Sequence, residues 1–284
     1  MRTIKKIHKA EYRPIADLVT YSPMPTRSLQ MIDPFLFLNH HGFQTYPAGN
    51  TGLPFGPHPH RGMETVTFIL EGDIMHKDSS GHESVIGPGG VQYMTAGKGL
   101  IHAEVSSSDF KKKGGDLEIL QLWLNLPASK KMITPAYVGL QKDQIPSFEL
   151  DEGKIKVQQL FGEKSGVKGA FEGQFPLNLA TYYLDKGGKF EIEIPEHENI
   201  FFYIVRGELN VNGEEVNFRN LVEFENQGTK LKVEALEDSI LILGYAKPFQ
   251  EPVVAQGPFV MNTQQQIYEA YEDYQAGKFG TWSH

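Results

Sequence analysis

His58-Pro59-His60 and, further along, His102-Ala103-Glu104 are the residues of this chain whose types and spacing could do chemistry. Side chains on an extended strand alternate faces, so an i, i+2 pair of histidines aims both imidazoles the same way. His102 and Glu104 repeat that geometry. If the two strands face each other, four donors converge. Neutral imidazole nitrogens with one carboxylate suit Fe, Ni, Cu, Mn or Zn, and suit Ca or Mg poorly. Four protein ligands on a six-coordinate ion leave positions for water or substrate, so a catalytic centre is as consistent with this set as a structural one.

Composition limits the alternatives. The 284 residues are 40% hydrophobic and 22% charged, which predicts a packed core in one large or two ordinary domains. A net charge of -8 argues against an electrostatic nucleic-acid footprint, so no direct nucleic-acid partner is expected. The basic run Lys111-Lys112-Lys113, followed by Gly114-Gly115, reads as a solvated loop tip. Cysteine is absent, which excludes disulfide frameworks, thiolate zinc sites and cysteine nucleophiles. The first residues lack the apolar stretch of a signal peptide, and no apolar run reaches the length of a membrane span. A soluble, cytoplasmic monomer with no membrane partner is the expectation.

Short β-rich runs must position the histidines. Glu64–Leu70, Gly90–Met94, Leu117–Leu124, Phe201–Val205 and Ser239–Leu243 are each bounded by Gly, Asn, Asp or Pro, as strands of a sandwich or barrel are. One longer helix is predicted from Thr263 to Ala276, capped by Asn262 or Thr263 and stopped at Gly277, with Ile267, Tyr271 and Tyr274 on one face. Phe68–Ile74 aligns faintly with Tyr203–Leu209, which implies two similar β domains in tandem. The pause in strands around Pro127, Pro135 and Pro146 places the boundary so that residues 1–139 form a metal-binding domain and 140–284 a metal-free one. Eight of the ten histidines precede residue 103, leaving His197 and the terminal His284 beyond. By the repeat, His197-Glu198-Asn199 and the stretch Glu234–Glu237 stand where the ligands would be.

Gly52, His58, His60, Glu64 and Gly72 together resemble the first cupin motif, with one residue more than usual between Glu64 and Gly72. Gly97–His102 resembles the second motif without its proline, and Glu104 follows two residues on. Those departures point to one branch. Pro57–Thr67, His76–Gly81, Met94–Gly99 and His102-Ala103-Glu104 are similar to the pirin family, supported by Pro25-Thr26-Arg27, Asp33–Leu38 and Gly257–Thr263. The resemblance is strong over residues 18–127 and weak over 140–245. It implies an all-β bicupin: two tandem jelly-roll barrels with a short C-terminal helix. It also implies one mononuclear metal, usually iron as Fe(2+), held by His58, His60, His102 and Glu104, with Glu64 left out. Members of the family are described as flavonol dioxygenases (quercetinases) or as iron-redox-responsive regulators with protein partners.

The enzyme reading has a flavonol bind through its 3-hydroxyl and 4-carbonyl. Coordination would lower the hydroxyl's pKa, and reaction with O2 would release carbon monoxide and leave a depside. Glu104, the nearest carboxylate, would be both ligand and general base. Glu64 is the rival, as an acceptor orienting a ligand imidazole or as the partner of Arg61. His40-His41 could line a pocket mouth, and Pro54–Pro57 a pocket entrance. His76 and His82 read as a polar hairpin. Phe37, Phe55, Met63 and Met94 are core or pocket wall. A redox-responsive regulator binding a protein partner is the competing reading. A third, a bicupin with a vestigial metal, is opposed by the intact ligand set.

Overall fold

The structure, a computed structural model, describes residues 1–282, so His284 lies outside the described residues. It is 53% strand and 10% helix, an all-β chain with two cupin barrels. One compact unit comprises Tyr12–Tyr21, Phe37–Lys142 and the described residues from Phe249 on, and carries the histidine motifs; the other comprises Met1–Glu11, Ser22–Leu36 and Asp143–Pro248. The units therefore group the chain differently at its ends from a single cut at 139/140. Backbone pairing explains the N-terminal exchange: Ile4–Lys9 runs antiparallel to Asn220–Phe224, with Ile7 opposite Val222, so the first strand completes a sheet of the second unit.

A seven-stranded sheet, most of whose residues belong to the first unit, takes the order Ala136–Leu140, Val91–Thr95, Met63–Glu71, Gly115–Asn125, Phe35–Tyr46, Thr20–Met24, Glu11–Tyr12. A four-stranded sheet takes the order Phe55–His60, Leu100–Val105, Ile74–Asp78, Glu83–Ile86. The second unit repeats this strand for strand. Its larger sheet is Ile4–Lys9, Asn220–Phe224, Asn199–Arg206, Ser239–Ala246, Leu177–Leu184, Ile155–Phe161, Ser147–Leu150. Its smaller sheet is Lys189–Glu193, Lys230–Ala235, Glu208–Val211, Glu214–Asn217. The faint sequence repeat marks the same corner in both barrels. Gly72 and Gly207 turn the chain from the larger to the smaller sheet at φ of 80° and 81°, a conformation that glycine adopts without a Cβ clash.

The C-terminal helix spans Gln264–Gln275. Thr263 caps it by accepting from the Gln266 backbone N–H, and the Gln266 side chain accepts in return from the Thr263 backbone, a capping box. Ile267 and Ala270 are its buried residues, while Tyr274 is exposed. The lysine run is not a loop tip. Lys111, Lys112 and Lys113 form the last turn of a short helix, Ser108–Lys113, where cations suit the helix dipole. Ser107 caps that helix and is itself held by Asp73.

Candidate metal centre

Register brings the two histidine motifs together. Leu100–Val105 pairs antiparallel with Phe55–His60, setting His102 opposite His58 and Leu100 opposite His60. A bulge between His102 and Glu104 then sets Glu104 opposite Phe55. One nitrogen from each of His58, His60 and His102 lies within 4.8 Å of the other two. The His58 and His102 rings are 4.4 Å apart, and both lie 5.0 Å from the His60 ring.

The proton positions follow from backbone partners. His58 Nδ1 lies 2.7 Å from the Gly56 carbonyl and His60 Nδ1 lies 3.2 Å from the Pro258 carbonyl. Each Nδ1 must be the donor, so each Nε2 is a bare lone pair, the arrangement that metal-bound histidines use. His60 Nε2 is buried with no hydrogen-bond partner. His58 Nε2 accepts a hydrogen bond from His102 Nε2 at 3.0 Å, and that spacing is close to the roughly 3 Å that neighbouring donors at about 2.1 Å on an octahedral ion require. Burial, with the neighbouring His58, pushes His60 down to about 3. Burial among His60, His58 and His76 pushes His102 well below its usual value. Both rings are therefore neutral, the form that binds a metal. The donors fit a divalent transition ion.

Glu104 is buried beside this cluster and outside the group of three imidazoles. Thr67 donates to its Oε1 at 3.1 Å, and the Gln121 amide donates to its Oε2. Trp123 Nε1 in turn donates to the Gln121 carbonyl at 3.0 Å. Each carboxylate oxygen keeps a lone pair after accepting one bond. Thr67, Gln121 and Trp123 were not singled out from the sequence. Their signal was there: Gln121 and Trp123 alternate with Leu120, Leu122 and Leu124, a strand with one polar and one apolar face.

Glu64 points away from the imidazoles, on the other face of its strand from Thr65 and Thr67. Its Oε1 accepts from Tyr93 and Thr95, and burial pushes its pKa up to about 7. Neither expected role for Glu64 is seen. Arg61 pairs instead with Asp273 at 2.9 Å, donates to the Lys98 carbonyl and stacks on Phe279. Those contacts, with the Arg61–Phe259 bridge, tie the C-terminal segment to the strand end that carries His60. Lys131 adds a buried tie, donating to the Gly62, Val260 and Asn125 oxygens.

His58, His60 and Glu104 open into a cleft of about 400 Å³, walled by Phe37 and Trp123, whose rings stack at 4.5 Å. Phe55 and His41 also line it, while Met63 and Met94 are fully buried in the core. His40 turns the other way and meets Glu118. His76 is more than a hairpin residue. It is buried, bonds Asp78 at 3.0 Å, stacks on Tyr137 at 3.7 Å and lies 5.4 Å from the His102 ring. Burial opposes ionisation of Asp78, but hydrogen bonds from His76, Ser80 and His82 hold its carboxyl well below the usual range.

The counterparts in the second unit differ from those the repeat suggested. Counting from the Gly207 turn, Val211 matches His76 and pairs with Val233; Leu231 pairs with Ile192. Hence Ile192, Ile194, Leu231 and Val233 occupy the places of His58, His60, His102 and Glu104, and all four are buried and aliphatic. His197 lies exposed in a turn, and Glu234 pairs outward with Lys189.

Comparison with known proteins covers both units. Residues 17–124 match the family described as Pirin, and residues 179–280 the Pirin C-terminal cupin domain. A Pseudomonas aeruginosa protein provisionally named a quercetin 2,3-dioxygenase is 34% identical over 94% of this chain and 92% of its own length. Pirin of Rattus norvegicus is 36% identical over 89% of this chain and 84% of its own. The crystal structure of a quercetin 2,3-dioxygenase from Acinetobacter baumannii superposes with a TM-score of 0.91 at 33% identity, covering 99% of each chain.

Proposed function

The chain belongs to the pirin family, and from that premise we propose that it is a mononuclear-metal dioxygenase, resembling quercetin 2,3-dioxygenase, that cleaves flavonol-type substrates with O2. The metal is one divalent transition ion, Fe(2+) in this reading, held by His58, His60, His102 and Glu104; Ni, Cu, Mn and Zn suit the same donors. The protein acts in the cytoplasm as a monomer. Among the described residues no helix is long and apolar enough to cross a membrane.

The observation that carries the reading is the junction of imidazole cluster and cleft. Two of the three clustered histidines face a space walled by stacked aromatic rings, and a flat aromatic substrate packs on such walls. A bound metal supplies Lewis acidity toward the flavonol 3-hydroxyl and 4-carbonyl and an electronic path to dioxygen. Glu104 accepts the 3-hydroxyl proton at a carboxylate oxygen. Thr67 and Gln121 fix that carboxylate, and Trp123 fixes Gln121, so the aromatic wall and the proton acceptor are positioned together. Phe37 and Phe55 keep water from the reacting carbons. One flavonol and one O2 give one depside and one carbon monoxide, which balances without a further reductant.

The relatives carry enzyme names and the plain name pirin side by side. The second reading is therefore a regulator whose iron redox state sets its affinity for a protein partner. Metal content together with dioxygen uptake on adding quercetin separates the two. Uptake with carbon monoxide release, absent after metal stripping and restored by Fe(2+), supports the enzyme. One metal per chain with no uptake on any flavonol overturns it in favour of the regulator.

A further inference from the structure

The strand Phe35–Tyr46 sends the alternate residues Phe37, Asn39 and His41 into the cleft. His41 is the unusual member. It is buried and its Nδ1 lies 2.9 Å from the Thr20 hydroxyl, which donates its proton to the Leu18 carbonyl. A hydroxyl has one proton, so Thr20 accepts from His41, Nδ1 carries the ring proton, and Nε2 is a bare acceptor. Burial, with His40 nearby, holds the ring neutral at about 3, so that acceptor persists across the physiological range. Away from the histidine cluster and Glu104, the other polar side chains of the cleft have partners. Gln121 bridges Trp123 and Glu104, and Asn39 has a partner of its own. His41 leans on Phe55, the rings 5.2 Å apart, so its free nitrogen sits in an apolar setting. A fixed acceptor among aromatic walls is how a cleft selects a ligand hydroxyl, because a ligand lacking the group leaves the acceptor desolvated and unpaired.

We propose that His41 is a specificity-determining residue whose Nε2 accepts a hydrogen bond from a phenolic hydroxyl of the substrate, remote from the end that meets the histidine cluster. The assignment rests on the reading of the cleft as a flavonol site. It makes the preferred substrate a polyhydroxylated flavonol rather than the bare ring system. Thr20 is the positioning residue, since it fixes which nitrogen bears the proton.

The test measures binding to zinc-loaded protein, because zinc has no redox chemistry and no turnover intervenes. The probes are quercetin and 3-hydroxyflavone, which share the 3-hydroxyl and 4-carbonyl and differ in the remaining hydroxyls. Quenching of tryptophan fluorescence reads their dissociation constants, Trp123 being in the cleft. Wild type is expected to prefer quercetin by about 10-fold or more, the scale of one buried hydrogen bond. His41→Leu should lower that ratio by about 10-fold, and His41→Gln, whose amide oxygen can accept, should restore part of it. Thr20→Val, which frees the tautomer without touching the ring, should weaken quercetin selectively. An unchanged ratio in His41→Leu, or equal weakening of both ligands, overturns the His41 assignment and leaves the flavonol reading standing. If wild type binds neither flavonol, both fall together. If His41→Leu fails to hold zinc, an unchanged ratio in Thr20→Val overturns the assignment in its place.

Discussion

The two barrels share one topology and have opposite interiors. Around the imidazole cluster the first barrel turns Thr67, Gln92, Gln121, Glu104 and His76 inward, and all but Gln121 are fully buried. The matching places in the second hold Phe202, Val222, Leu243, Val233 and Val211, all in one apolar core. Even Tyr137, stacked on His76, is replaced by Ile4 from the exchanged N-terminal strand. The first barrel keeps its own apolar cluster, with Ile69, Ile74, Leu117 and Ile119, apart from the polar group. Backbone pairing and turn geometry therefore specify the barrel, while the interior is free to be a core or a site. A polar interior is tolerated because its groups bond one another; those left unpaired, such as His60 Nε2 and the Gln92 amide, are where a ligand or water has something to gain.

The comparison breaks most visibly at the metal. His58→Ala and His60→Ala each remove a donor that the second barrel lacks, and each should drop bound metal well below one per chain by elemental analysis, abolishing dioxygen uptake. Retention of one tightly bound metal by both variants would refute the ligand set. Next in size is the reverse change. Leu231→His puts an imidazole where the second interior has only hydrocarbon, and should destabilise the chain by about 3–4 kcal/mol in urea denaturation, from the lost packing and an unpaired buried nitrogen. A near-neutral result would mean that this interior is not sealed.

Glu64 asks whether buried polar groups burden the first unit beyond its interior. Burial raises its folded pKa to about 7, above the 4.5 of a free glutamate side chain. Between those values the native state holds a proton that the unfolded state has lost, so stability is greatest below about pH 4.5 and falls as pH rises toward 7. The fall is about 3 kcal/mol. Glu64→Gln removes that titration, so the stability difference between variant and wild type should grow in favour of the variant across this window. A difference that stays flat with pH would contradict the assignment. The smallest free energy belongs to the catalytic test. Glu104→Gln should hold metal at saturating concentration yet lose flavonol oxidation by ~10²-fold, about 2.7 kcal/mol, while Glu64→Gln, facing the other way, stays active. The opposite pattern would make Glu64 the base.

Strand-period reading located the histidine pairs because alternation is local: two residues apart on one strand is a geometric fact whatever the rest of the chain does. Composition excluded thiol chemistry on equally local grounds. The pirin and cupin resemblance supplied the barrel, and the Gly72 and Gly207 turns bear it out. Asn262 and Thr263 marked the helix start as candidate caps, and the structure assigns the cap to Thr263. What sequence could not supply was register and face. The repeat aligns the chain only around its glycine corner, and His197, the nearest histidine, lies beyond the places that the ladder gives to Ile192 and Ile194. Glu64 and Glu104 are both carboxylates near the motifs, and only pairing to Thr95 on one face and hydrogen bonding to Thr67 on the other separates them. His41 and Thr20 lie on neighbouring strands far apart in sequence, and the tautomer of one depends on where the hydroxyl proton of the other goes. Donor types and their periodicity are written in the chain. Which donors converge, and which nitrogen is left bare, depends on long-range strand pairing and on hydrogen-bond partners that only the tertiary fold brings within reach.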